Sequence, residues 1–241
     1  MQISVITATF NAANHLPILI DSLRAQTYKN FEWIVVDGAS VDNTLSILKN
    51  VKDLNIVLSS KPDFGIYDAI NRAIKISKCD YYVVIGADDV FSPDSIENFI
   101  NLIDESSAII TAPIMINSKK YDLSKLPIFL SGFQAKIYGH SVATLFRKSL
   151  HDKHGYYSRN YPIAADYDFM MKLILANERI SYSKIIAGKF SSYGVSTKDR
   201  LGSASEVMRV MVSHGYSLPV QVAVFIVRLM YTAIVGNRSN L

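Results

Sequence analysis

Two adjacent carboxylates, Asp88 and Asp89, close the apolar run Tyr81-Tyr82-Val83-Val84-Ile85-Gly86-Ala87. Neighbouring carboxylates repel one another unless a cation or a proton lies between them, and their hard oxygens suit a divalent ion. A run apolar at every position reads as a strand covered on both faces. Open α/β sheets bind ligands beyond the carboxyl ends of such strands. The same residues also read as a helix start, because Asp89, Ser92 and Pro93 are of the types that open helices, ahead of Asp94–Ile103. On the pair alone both readings stand.

Other chemistry-bearing residues also follow apolar runs: Thr9-Phe10-Asn11, Asp37-Gly38, and Asp166 with Asp168 after Ala164-Ala165. The elements that must position them alternate. Strands are expected at Ile3–Thr9, Phe31–Asp37, Asn55–Ser60 and Tyr81–Ile85. Helical spacing marks His15–Ala25, Thr44–Val51, Tyr67–Ser77 and Pro93–Ile103, the first through Leu16, Leu19, Ile20 and Leu23. This order predicts an α/β, Rossmann-like, mainly parallel sheet with helices on both faces. No Gly-x-Gly-x-x-Gly follows the first strand and no P-loop occurs, which disfavours dinucleotide and P-loop chemistry.

Beyond Ile116 the pattern loosens. Lys119–Gly139, with turn residues and scattered aromatics, reads as a long loop over a site. A helix is expected over Ala165–Ala176 and a strand near Ile185–Phe190. The tail, Leu218–Val235, is almost continuously apolar. Arg228 near its middle would cost a spanning helix about 2.5–3.5 kcal/mol. The expectation is a helix packed on the domain or lying in a membrane interface with Arg228 and Arg238 toward lipid phosphates; a buried core helix is the alternative. Residues 1–200 are thus read as the catalytic domain and 201–241 as a helical tail.

The 241 residues are 49% hydrophobic, and Lys+Arg of 25 against Asp+Glu of 21 leave a net charge of +4. With a mean hydropathy of +0.17, the chain is apolar for a soluble protein but not a multi-span membrane protein. The small basic excess does not indicate nucleic acid and suits an anionic substrate or an acidic membrane surface. A single cysteine, Cys79, excludes an intramolecular disulfide and fits a reducing compartment. The first residues run directly into a strand, with no signal-peptide pattern, so a cytoplasmic location is expected.

Taken together, Thr7–Asn11, Val36–Asp42, Gly86–Asp89 and Ala165–Asp168, with Gln26-Thr27-Tyr28 and Asp63–Asn71, closely resemble family 2 glycosyltransferases. The nearest branch is that of bacterial O-antigen and exopolysaccharide enzymes, which carry an Asp-Gly pair, a Gly-Ile-Tyr-Asp-Ala segment and a late Gly-Val-Ser like Gly194-Val195-Ser196. The resemblance, from Ile3 to about Thr197, implies a GT-A fold and inverting sugar transfer from a nucleotide diphosphate donor. It places Ala8 and Phe10 beside the nucleoside, with Asp37, Asp63 and Asn71 around the nucleotide. Asp88 and Asp89 would serve Mn²⁺ or Mg²⁺, directly or through water. Asp166 would be the general base, with Asp168 in a capping or positioning role. His140, before a later strand, would contact diphosphate, metal or acceptor. Three positions depart from the family pattern: Gly38 stands where many members have a second aspartate, Gly86 where Asp-x-Asp begins, and Ala165 where relatives usually have a glutamate before the base.

The function so implied is transfer of a hexose, galactose or glucose, from a UDP-sugar to a saccharide on a lipid diphosphate carrier. N-acetylglucosamine on undecaprenyl diphosphate is a plausible acceptor. The protein would work at the inner face of a bacterial cytoplasmic membrane, in surface polysaccharide assembly. Two rivals are a noncatalytic sugar-nucleotide-binding subunit, encouraged by Gly38 and Gly86, and a nucleotidyltransferase making nucleotide sugars. Against the latter, Thr9–Asn14 is neither glycine-rich nor basic.

Overall fold

A computed structural model describes residues 3–191 and 199–236 of the chain. Four strands set the frame: β1 (Ile3–Thr9), β2 (Phe31–Asp37), β3 (Ile56–Ser60) and β4 (Tyr81–Val84). They are joined by helices α1 (Leu16–Arg24), α2 (Thr44–Asn50) and α3 (Ile66–Ile76). The four strands pair in parallel in the order β4-β1-β2-β3.

Both faces of β1, β2 and β4 are buried, and the period-2 alternation sorts their side chains between two cores. Ile3, Val5, Trp33, Val35, Tyr81 and Val83 pack on one face with Leu16, Leu19 and Leu23 of α1. Ile6, Ile34, Val36, Tyr82 and Val84 pack on the other with Ala69, Ile70, Ala73 and Ile74 of α3. Each fully buried side chain of this size contributes about 1.5–3 kcal/mol. Because little of either face is left for water, most strand positions are apolar, and buried polar ones are paired, as Ser4 Oγ is to Glu32 at 2.5 Å.

Beyond β4 come the short β5 (Val90–Phe91), α4 (Ser95–Asn101), β6 (Ile109–Thr111), β7 (Ile114–Ile116) and β8 (Lys119–Tyr121). Then follow α5 (Ile128–Ser131), a 3₁₀ turn (Gly132–Ala135), β9 (Thr144–Arg147) and α6 (Leu150–His154). The chain continues through α7 (Ala165–Leu175), β10 (Ile180–Tyr182), β11 (Gly188–Phe190), α8 (Arg200–Ser213) and α9 (Leu218–Gly236). The main sheet has seven strands in the order β10-β6-β9-β4-β1-β2-β3, with β9 antiparallel to both neighbours. A second, four-stranded sheet, β5-β11-β7-β8, stands beside the carboxyl end of β4.

Three sequence expectations need correction. Lys119–Gly139 is not a structureless loop. Lys119–Tyr121 pairs antiparallel with β7, and Ile128–Ala135 folds into α5 and a 3₁₀ turn that starts at Gly132, whose φ of +60° suits glycine. The helix-start reading of Asp89 fails as well, because α4 begins only at Ser95 with Asp94 at its N-cap. Arg228 does not turn toward lipid. Its guanidinium donates to the Leu130 carbonyl at 3.1 Å, while Gln221 donates to Phe129 O at 2.8 Å, so α9 docks its polar residues on α5. Arg238 and Gly194-Val195-Ser196 lie outside the described residues.

Candidate active site

β1, β2 and β4 all end on one edge of the sheet, and the loops there are laced together. Asn11, at φ +49°, donates its backbone N–H to Ser40 Oγ at 2.8 Å, and its Oδ1 accepts from Val41 N at 3.0 Å. Asp37, fully buried at the end of β2, accepts from Thr9 Oγ1, Ser40 Oγ, Ser40 N and Ser60 Oγ at 2.5–3.0 Å. Burial by itself would raise its pKa, but these four donors outweigh burial and leave it below the ordinary carboxylate value. Its usual acceptor positions are thus filled by the protein.

A cavity of about 540 Å³ opens beside this edge, and Ala8, Asp88, Asp89, His140 and Asp166 all line it. The two carboxylates after β4 have different surroundings. Asp89 is 2% exposed and accepts from Gly86 N at 2.9 Å, Ser141 Oγ at 2.7 Å and Ser191 N at 2.8 Å. Burial pushes its pKa up to about 6 despite those donors, and the Asp88 charge pushes the same way. Asp88 has no hydrogen-bond partner among the described residues and is half-buried on the cavity wall. Gly86 makes this fold-back possible: a Cβ there would lie 2.9 Å from both Asp88 Oδ1 and Asp89 Oδ2. The space a side chain at this position would need is occupied by the later carboxylates.

Gly38 repeats the arrangement, since a Cβ there would lie 2.9 Å from Asp63 Oδ2. Asp63 also pairs with Arg72 at 3.3 Å and caps Gly65 N at 3.0 Å. Phe10 is 66% exposed just beyond β1, a free aromatic face at the same sheet edge. Asn71 faces elsewhere. Its amide donates to Tyr157 O at 2.9 Å and accepts from Tyr157 N at 3.1 Å, which clamps α3 to the segment before α7. The structure therefore gathers Ala8, Asp88, Asp89, His140 and Asp166 on one wall and leaves Phe10, Asp37, Asp63 and Asn71 off it.

Asp166 stands in the first turn of α7, where the partial positive charge of a helix N-terminus favours a carboxylate, and its Oδ1 accepts from Tyr167 N at 2.7 Å. Tyr67 shares this corner and donates to Ile163 O at 3.0 Å. Burial first, then the Asp166 charge, push its pKa well up, so it stays a neutral phenol. Asp168 serves structure: it pairs with Lys172 at 2.6 Å and with His214 at 2.9 Å, holding α7 to the end of α8.

Several residues that build this wall carry little or no local signal in the sequence. Ser141 and the backbone of Ser191 fix Asp89. Tyr82, Tyr157 and His151 form a buried hydrogen-bonded row behind His140. Glu206, of α8, holds the entry to α7. The available hint for Glu206 was an acid beside the core residues Val207, Val210 and Met211.

Comparison with known proteins gives this geometry a family. The family model described as glycosyl transferase family 2 matches residues 4–160. A PGL/p-HBAD biosynthesis glycosyltransferase of Mycobacterium bovis (strain BCG / Pasteur 1173P2) is 27% identical over 205 residues, covering 79% of this chain and 77% of that protein. An uncharacterized glycosyltransferase of Rickettsia typhi is 30% identical over 187 residues, covering 71% of this chain and 58% of its own. Among solved structures, S. aureus TarS 1-349 in complex with UDP superposes with a TM-score of 0.69 at 23% identity, over 95% of this chain and 71% of that one. The mannosyltransferase PcManGT of Pyrobaculum calidifontis, in complex with GDP-Man and Mn²⁺, gives 0.68 at 18% identity, over 96% and 75%. The fold is that of the GT-A glycosyltransferases. Because the family model spans well over half of its length, the chain belongs to glycosyltransferase family 2.

Proposed function

We propose that this glycosyltransferase transfers a hexose, galactose or glucose, from a UDP-sugar to a lipid-diphosphate-linked saccharide, with inversion at the anomeric carbon. The observation that carries the reading is that Asp166, at a helix N-terminus, and Asp88, without a protein partner among the described residues, line one cavity.

The donor set fits a divalent ion. Among the described residues no group of three His, Cys, Asp or Glu side chains could hold a metal by itself. Asp88, with Asp89 behind it, offers hard oxygens, and Mg²⁺ or Mn²⁺ take their remaining ligands readily from phosphates and water. When bound, such an ion neutralises charge gathering on the departing diphosphate. Asp88 would hold it, and Asp89, with three donors on its oxygens, would keep the loop in place. Phe10 offers a face for the base. Asp37, saturated by its serine and threonine donors, would shape the nucleoside subsite rather than bind through an open lone pair.

Asp166 would accept the proton of the acceptor hydroxyl as that oxygen attacks the anomeric carbon. The bond from that carbon to the diphosphate oxygen breaks on the opposite face, and the nucleoside diphosphate leaves with the electron pair. An α-linked donor then gives a β-linked product.

No helix of the described residues is long and apolar enough to cross a membrane. The lipid-linked acceptor is supported instead by α9, which exposes Leu218, Val220, Val222, Ile226, Val227 and Met230 while Gln221 and Arg228 hold it to α5. An apolar helix face beside a protein core suits the interface of an anionic leaflet. The test is transfer of radiolabelled hexose from a panel of nucleotide sugars to a synthetic lipid diphosphate saccharide, with and without Mn²⁺. UDP-galactose or UDP-glucose should label it in a metal-dependent manner. Labelling only from another nucleotide class, or of soluble saccharides alone, would contradict the reading.

A further inference from the structure

Behind the cavity wall runs a buried row of hydrogen bonds whose direction is fixed at one end. His151 Nδ1 lies 3.0 Å from the Gly155 carbonyl oxygen, which can only accept, so Nδ1 carries a proton. His151 is 2% exposed, and burial lowers its pKa to about 4, so the ring is neutral and Nε2 is an acceptor. Tyr82 OH, 2.6 Å away, must then donate to Nε2. With its one proton spent, Tyr82 accepts from Tyr157 OH at 2.9 Å. Tyr157 in turn has only a lone pair left for His140 Nε2, at 2.6 Å. His140 therefore donates from Nε2, and because it is 8% exposed and burial lowers its pKa, the ring is neutral and keeps an unprotonated Nδ1.

His140 lines the cavity with Asp88 and Asp166. Its Nδ1 has no hydrogen bond within the described residues, yet it is not among their sealed, unpartnered polar atoms, which belong to Arg72, Asn98 and Tyr167. The lone pair is thus open to the cavity. A phosphate oxygen cannot satisfy it, because both are acceptors. A hydroxyl can.

We propose that the Tyr157–Tyr82–His151 row fixes His140 as a hydrogen-bond acceptor for a hydroxyl of the transferred hexose. The assignment rests on the donor reading above, since the sugar must lie between the diphosphate near Asp88 and the base at Asp166. Tyr82 and Tyr157, which act through His140, are positioning residues. His140 itself reads the sugar.

Histidine-labelled ¹⁵N NMR of the full chain tests the row, with the His140 signal assigned by its loss in His140→Asn. His140 should show a protonated Nε2 and a bare Nδ1, and His151 the reverse. In Tyr82→Phe the Tyr157 proton is released to face His140 Nε2, and the bare-Nε2 tautomer should gain. Calorimetry then reads the sugar contact. His140→Asn, whose amide oxygen can stand near Nδ1, should keep more of the affinity for UDP-galactose or UDP-glucose than His140→Gln. His140→Gln should bind that donor about tenfold more weakly with UDP affinity unchanged, the size of one lost hydrogen bond. An Nδ1–H tautomer for His140, or one unmoved by Tyr82→Phe, would overturn the row. Equal hexose affinity in both variants, or a loss of Mn²⁺ affinity in the presence of UDP, would overturn the hydroxyl contact, the latter in favour of metal ligation. If the wild type bound no UDP-hexose, the donor reading and the sugar contact would fall together, while the tautomer would still decide the row.

Discussion

Glu206 Oε2 accepts the backbone N–H groups of both Ile163 and Ala164 at 2.8 Å, so a carboxylate on α8 fixes the turn that delivers Asp166. Ala164, Tyr167 and Met171 meet Val207, Val210 and Met211 in a small core around the same contact. Residues past the span of the family model thus hold the start of α7 in place. Glu206 is 8% exposed, and its loss leaves one buried and one part-buried donor without that partner. Glu206→Ala should cost about 2–4 kcal/mol in urea unfolding and lower turnover more than it weakens UDP-sugar binding. An unchanged unfolding midpoint would detach Glu206 from this role.

Asp88 and Asp89 should separate by readout. Asp88→Ala removes a carboxylate with no partner among the described residues, so transfer should collapse, along with Mn²⁺ dependence, while the melting temperature holds. Asp89→Ala removes the acceptor that Gly86 N, Ser191 N and Ser141 Oγ share, and leaves Ser191 N without one. It should destabilise the fold by about 1–3 kcal/mol or more. Thermal melts and chelator titrations on both variants check this. Equal melting temperatures for the two would contradict the division of labour.

These two residues show what the sequence made legible. The apolar runs and their terminal acids were visible because β1, β2 and β4 are buried on both faces, which favours apolar residues at most of their positions. The alternation of strands and helices to Asn101 followed for the same reason, with ends differing by one or two residues. Less was readable past Ile116. β8 is three residues long and exposes Lys119 and Lys120, and β10 is equally short, so neither presents a periodic pattern. In the site, Asp88 and Asp89 looked alike in sequence. Only the positions of Ser141 and Ser191, far along the chain, tell them apart. The histidines invite the same comment: His151 has no distinctive neighbours in sequence, yet sits between Tyr82 and the Gly155 carbonyl and stacks on Phe169 at 4.5 Å. Contacts over 69 residues leave no local trace.

His151 also predicts a pH dependence. Its pKa falls from 6.5 to about 4 on burial. A depressed pKa in the folded state means that its stabilising share is complete above pH 6.5 and is lost as pH falls toward 4, where the unfolded chain binds the proton first. The loss amounts to about 3 kcal/mol. Thermal unfolding between pH 7 and 4 should show this slope, and His151→Gln should flatten it from a lower starting stability. An identical slope in the variant would assign the acid sensitivity elsewhere.

The apolar face of α9 gives a fourth expectation. Removing Leu218–Leu241 should abolish sedimentation with vesicles containing anionic lipid and should impair long-chain acceptors more than short soluble ones. Because Gln221 and Arg228 tie α9 to α5, a double substitution Val227→Ser with Met230→Ser on the exposed face is the gentler variant. It should weaken vesicle binding while leaving the melting temperature unchanged. Vesicle binding that survives both changes would place the membrane contact elsewhere.

The central claim is that Asp166 takes the acceptor proton in an inverting transfer. Asp166→Asn is nearly isosteric and leaves Asp88, Phe10 and the nucleoside subsite untouched. Single-turnover transfer from an α-linked UDP-hexose, with the anomeric configuration of the product read by NMR, is the direct measurement. The wild type should give a β linkage, and Asp166→Asn should lose about 10²–10⁴-fold in rate with donor affinity preserved. A product of retained configuration, or a variant with undiminished rate, would contradict the account.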